Sequence, residues 1–163
     1  MSFTNLPVQN LKIMTSLHDN LENKIQGTWW LLSREDYTKD GERRIDPVLG
    51  SDPVAILVYA NKYFAAQFMK KGRNSESFIH ASAASENNTS AIGGYDAYFG
   101  TYQTDERTNQ VAHTLVGSIN PANIGITVHR TLQVENGRLI IKLDTTSQDG
   151  EPITRTLTWR RIE

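Results

Sequence analysis

The chain of 163 residues contains no cysteine. Disulfides, thiol nucleophiles, zinc–thiolate sites and iron–sulfur clusters are therefore excluded. It also lacks an excess of one charge. Lys and Arg number 17 against 18 Asp and Glu, for a net charge of -1, whereas a nucleic-acid binder is expected to carry a basic surplus. Long hydrophobic runs are missing too. The longest, residues 53–60 (PVAILVYA), suits a strand and is too short to span a bilayer. The first ten residues have no basic start followed by an apolar core, so they do not read as a secretory signal. These absences predict a soluble, cytoplasmic protein with no membrane span and no nucleic-acid partner.

Several chemical motifs are absent as well. There is no His-Glu-x-x-His, no Gly-x-Ser-x-Gly and no phosphate-binding loop, since Gly93-Gly94 leads into a strand pattern. His18, His80, His113 and His129 are scattered along the chain. The reading therefore expects no metal and no cofactor; His113 would be the candidate ligand if a haem were bound.

What is present is a change of period. Residues 1–15 show no periodicity and are expected to form a flexible arm before a single domain over 16–163. In residues 16–26, Leu17, Leu21 and Ile25 recur at helical spacing behind a candidate N-cap, Ser16, with Gly27 as the stop. From Gly27 onward the period becomes two. Strands are predicted over 28–37, 54–60, 63–69, 94–104, 111–119, 126–135, 138–144 and 153–162. Asn61-Lys62 and Asn136-Gly137 supply hairpin turns. About eight closely spaced strands after one helix predict an all-β fold: an antiparallel up-and-down barrel with a short N-terminal helix capping one end. Two longer connections, 38–53 and 70–93, are expected to gate or shape the mouth.

The Asn136-Gly137 turn fixes a register: Val134 faces Leu139, Leu132 faces Ile141 and Arg130 faces Leu143. Val128, Arg130, Leu132, Leu139, Ile141 and Leu143 then share one face, and its apolar character places it inside. Extending the pairing backward through a loop near Pro121-Ala122 sets His113 opposite Arg130. A turn at Glu106-Arg107 then sets Tyr102 opposite Val111 and Tyr98 opposite Leu115. An arginine, an imidazole and two phenols would converge on an apolar cup, as in small-molecule sites. Arg130, His113, Tyr98 and Tyr102 are the candidate ligand-binding residues. Tyr59 and Arg155 join them on less firmly fixed faces.

The residues Gly27-Thr28-Trp29 behind the short helix, Tyr98-Phe99-Gly100-Thr101-Tyr102, Val128-His129-Arg130 and Trp159-Arg160-Arg161 together resemble the lipocalin superfamily of calycin-type barrels. The chain is most similar to the bacterial and fungal lipocalin-like domain proteins. That resemblance implies an eight-stranded barrel whose cavity takes a small apolar or amphipathic molecule. It also implies a barrel end closed by Gly27, Trp29 and an arginine near the C-terminus. By alternation with Trp159, this is Arg161 rather than Arg160. Whether the cavity is catalytic stays open. The alternative to binding is a cofactor-independent isomerase or cyclase acting on a hydrophobic biosynthetic intermediate, with His113, Arg130, Tyr98 and Tyr102 as its acid–base and oxyanion groups. A homodimer is likewise left open.

Overall fold

A computed structural model describes residues 20–74, 91–147 and 149–162. The expected arm over 1–15 and the first turn of the expected helix, with Ser16 and Leu17, lie outside them. The described helix, α1, is Leu21–Ile25, and its N-cap is Asn20, whose side chain accepts from the Asn23 amide at 2.8 Å. Leu21 and Ile25 are its buried face. Gly27 stands directly after the helix's C-cap, Gln26, the position expected of the stop. It also opens the first strand, with φ +116°.

Among the described residues nine strands follow: β1 Gly27–Thr38, β2 Arg43–Arg44, β3 Val54–Ala60, β4 Tyr63–Met69, β5 Tyr95–Asp105, β6 Gln110–Ser118, β7 Thr127–Glu135, β8 Arg138–Thr146 and β9 Pro152–Ile162. All neighbours are antiparallel. β3 to β9 pair in chain order, β3 also pairs with β1, and β1 pairs with β9 to close an eight-stranded barrel; β2 is a two-residue flap on β1. The all-β barrel with an N-terminal helix is therefore as the sequence pattern implied. Closure leaves no long free sheet edge, which removes a route to edge-to-edge association. The connection over 38–53, expected to gate or shape the mouth, contains β2 and a compact turn at residues 46–50.

Two hairpins have the expected pairing. Asn61-Lys62 and Asn136-Gly137 both place two successive residues at positive φ. That conformation matches the twist of the flanking strands, as in type I′ turns. Leu132 faces Ile141 and Val134 faces Leu139. Arg130, Leu132, Leu139, Ile141 and Leu143 are buried and Val128 packs against the core, while Thr131 and Lys142 are exposed.

The pairing further back differs. His113 lies opposite Val128 rather than Arg130, whose partner is Val111. Tyr102 lies opposite His113 rather than Val111, and Tyr98 opposite Ser118 rather than Leu115. The β5–β6 turn is Glu106–Asn109, one step later than Glu106-Arg107, with Asn109 at positive φ. The β6–β7 connection carries a 3-10 turn at Pro121–Asn123. Where both registers are regular, each pairing shifts by two residues. An even shift keeps every side chain on its face, so Tyr98, Tyr102, His113 and Arg130 all remain inward and buried. A bulge between Phe99 and Gly100 takes up the odd residue on β6. Gly100 is required there, because a Cβ would lie 1.9 Å from the Thr114 carbonyl oxygen.

Candidate functional site

The helix end of the barrel is shut. The Trp29 indole N–H donates to the Ile25 carbonyl at 2.8 Å, and the Arg161 guanidinium lies over the Trp29 ring at 4.2 Å from its centroid. Arg161 also donates to the carbonyls of Gln26 and, at 2.6 Å, Lys24. These carbonyls at the helix C-terminus carry partial negative charge, and a cation there satisfies them. Gly27 makes room: a Cβ at this position would fall 2.6 Å from Arg161 Nη1.

On the barrel side of this closure lies an aromatic layer. Tyr102 is buried, and its hydroxyl accepts from the Gln26 amide at 2.6 Å. Tyr59 meets Tyr102 edge-on at 4.9 Å between centroids, and its hydroxyl bonds His113 Nε2 at 2.8 Å. Phe64 stacks on His113 at 4.1 Å. Burial, reinforced by the nearby Arg130 cation, pushes the His113 pKa well below its ordinary value. The imidazole is neutral near pH 7, with Nδ1 lacking a partner among the described residues. The same burial raises the Tyr59 phenol far above its usual range, against the pull of Arg130.

Toward the end of the barrel away from α1 the interior becomes charged. Arg34, Phe68, Tyr98, Arg130, Leu143 and Arg155 line the cup together with Leu157. The space between them is about 10 Å³, room for roughly one water. Arg155 grips Asp36 with two hydrogen bonds of 2.8 Å, Nε to Oδ1 and Nη2 to Oδ2. Arg34 Nη2 donates to Asp36 Oδ2 at 3.1 Å and to Asp46 Oδ2 at 2.8 Å. Burial works against these charges. Even so, Asp36 and Asp46 hold the Arg34 pKa above its ordinary value, and Arg155 and Arg34 hold that of Asp36 below.

Asp96 on β5 stands apart from this pairing. Its residue is 1% exposed, and Oδ2 has no partner among the described residues; nor does Arg34 Nη1. Burial pushes its carboxyl up to about 7; Arg34 opposes this and Asp46 adds to it. Near neutral pH it can therefore donate or accept a proton, an ability that burial removes from His113.

The structure thus divides the sequence candidates. Tyr98, Arg130 and Arg155 meet around the cup, whereas Tyr59, Tyr102 and His113 form the aromatic layer on the helix side. Arg130 links the two, since its charge acts on Tyr59, Tyr98 and His113. Arg34, Asp36, Asp46 and Asp96 escaped the sequence reading. For Asp96 a signal existed, because it shares strand parity with Tyr98. Arg34 and Asp36 reach the inside through a bulge at Leu31/Ser33, which no local residue pattern announces.

Larger depressions lie elsewhere. One of about 270 Å³ borders α1 near Leu21, Glu106 and Gln133. Another, of about 190 Å³, lies on the outer face between Trp30, Ile56, Met69 and Tyr95. Neither gathers an unpartnered buried polar atom, so size alone does not make them the better site. Among the described residues no cluster of three His, Cys, Asp or Glu side chains could hold a metal ion, and no helix is long and apolar enough to cross a membrane.

The lipocalin-like domain family matches residues 26–162. The chain belongs to this family. No curated protein matches it. The matched span takes in every strand, the Trp29–Arg161 closure and the whole charged cup of this lipocalin-like barrel.

Proposed function

We propose that this lipocalin-like barrel binds a small amphipathic molecule through the end away from α1. The polar head lies in the cup of Arg34, Tyr98, Arg130 and Arg155, and the apolar body lies against Phe68, Leu143 and Leu157. One observation carries the reading. A buried guanidinium nitrogen of Arg34 and a buried carboxylate oxygen of Asp96 have no partner among the described residues, in a region whose charges influence each other. Unpartnered buried polar atoms cost about 1–3 kcal/mol each, and replacing buried ion pairs by apolar packing is often neutral or stabilising. A filled structural core gains little from such groups, whereas a ligand with polar atoms uses them. The ligand must create its space, because the cup as it stands admits about one water.

A second reading, cofactor-independent isomerisation or cyclisation, draws support from Asp96 alone, whose carboxyl is poised for proton transfer near neutral pH. In that case Asp96 moves the proton, Arg34 or Arg130 steadies developing negative charge, and neutral His113 serves as a hydrogen-bonding partner of Tyr59.

The test is native mass spectrometry of freshly purified protein, followed by titration with 1-decanol. A co-purified small molecule that decanol displaces, or saturable one-to-one decanol binding, supports the reading. A barrel that retains nothing and binds no amphiphile contradicts it.

A further inference from the structure

The compact turn at residues 46–50 sits at the end of the barrel away from α1, and among the described residues its polar ties to the barrel are few. Its bonds are largely internal: the Gly50 amide donates to the Asp46 carbonyl at 2.8 Å, and Asp46 Oδ1 accepts from the Val48 and Leu49 amides at 2.9 Å each. β2 ends at Arg44 and β3 begins at Val54, so no strand ladder fastens the turn. Three described side chains anchor it. Leu49 is fully buried in the core, the half-buried Val48 packs against the core, and Asp46 Oδ2 reaches Arg34 Nη2. Asp46 is also the most accessible member of the charged set. Its side chain is 14% exposed, against 3% for Arg34 and 5% for Asp36.

We propose that the ligand of this barrel is an amphipathic anion, and that Asp46 is a built-in occupant of its head-group site on Arg34. Entry of the ligand exchanges one carboxylate for another anion and withdraws Leu49 from the space its tail then fills. This rests on the binding function proposed above and narrows its ligand class.

Three features favour an anion over a neutral head. Once Asp46 leaves, Arg34 still holds Asp36 through one Nη2 proton, so its other Nη2 proton and Nη1, without a partner among the described residues, can face an incoming oxyanion. A guanidinium recognises two oxygens of one anion in this way. The exchange keeps the charge of the cup constant, whereas a neutral head would leave buried Arg34 with less countercharge, which is costly. Finally, Arg130 and Arg155 line the same space, so the region around the head is rich in cations. Asp46 and Leu49 lie three residues apart on one turn, so a single movement releases both the charge site and the apolar space.

The experiment compares decane-1-sulfonate, permanently anionic, with 1-decanol of the same tail, by calorimetric titration of the full chain. Asp46→Asn keeps the Oδ1 acceptor that shapes the turn and removes the competing charge. It is expected to tighten sulfonate binding about tenfold, as removal of a competing closed state does, and to change decanol affinity less than about twofold on the same argument. Leu49→Ala opens the mouth without touching the charge, and should tighten both probes by similar factors. The proposal is overturned if Asp46→Asn leaves sulfonate affinity unchanged, or if decanol gains as much as sulfonate. Decanol binding without sulfonate binding in any variant refutes the anion while leaving the binding function standing. If neither probe binds any variant, the binding function itself fails.

Discussion

Replacing Asp96 by Asn should make the protein more stable, but only above about pH 5. The side chain is buried, with Oδ2 unpartnered, and burial raises its carboxyl from 3.8 to about 7. The folded protein therefore holds the Asp96 proton while the unfolded chain has already released it. Between pH 4 and 7 the folded state binds more protons, so stability falls as pH rises and levels off above about 7, where both states are ionised. A displacement of this size corresponds to roughly 4 kcal/mol at its upper limit. The amide of Asn has the same shape and no proton to lose, so it escapes this penalty. The groups that act on Asp96 are Arg34, Arg155, Asp46 and Tyr98, and taking the difference between variant and parent largely cancels their own titrations. Urea unfolding, followed by the fluorescence of buried Trp29 and Trp159, should show equal stabilities near pH 4 and a variant more stable by about 2–4 kcal/mol at pH 8. A difference that does not vary with pH would refute the reasoning. A variant less stable at pH 8 would mean that Asp96 is ionised and paired with Arg34.

Other outcomes follow from the same contacts. Trp29→Ala removes a fully buried ring beneath Arg161 and should cost about 3–5 kcal/mol in urea unfolding; a variant as stable as the parent would deny the closure its role. Asp36→Ala leaves Arg155 and Arg34 facing each other without their shared carboxylate and should destabilise by about 3–5 kcal/mol. Because the Asp36 carboxyl is held below its usual value, its contribution is present above about pH 4 and lost as pH falls through the folded-state value, so the deficit of Asp36→Ala should shrink in acid. Arg130→Met should weaken amphiphile binding while the barrel stays folded; lost stability with unchanged affinity would make Arg130 a strut.

The two I′ hairpins show what local sequence can specify. Asn61, Asn136 and Gly137 readily take positive φ, Lys62 follows into it, and these two-residue turns fix the pairing of β3 with β4 and of β7 with β8. The inward face of β7 and β8 followed from that register. The other connections lack so strict a turn, and the pairing across β5, β6 and β7 shifted by two. Faces survived because strand alternation is blind to even shifts. Bulges are different, because an extra residue changes parity without changing composition. The one at Leu31/Ser33 turns Arg34 and Asp36 inward, so the core of the charged cup was hidden. The turn that seats Leu49 depends on Asp46 meeting Arg34 across 12 positions of sequence, a tertiary event that hydrophobic periodicity does not encode.

The central claim is that an amphiphile occupies the barrel interior, and intermolecular nuclear Overhauser effects test it most directly. With leucine, isoleucine and methionine methyl groups labelled and 1-decanol added, the account expects contacts from the decanol chain to the methyls of Leu143 and Leu157 in the cup, with a changed environment for Leu49. Contacts confined to Ile56 and Met69 in the outer groove, with the Leu143 and Leu157 signals unmoved, would contradict it.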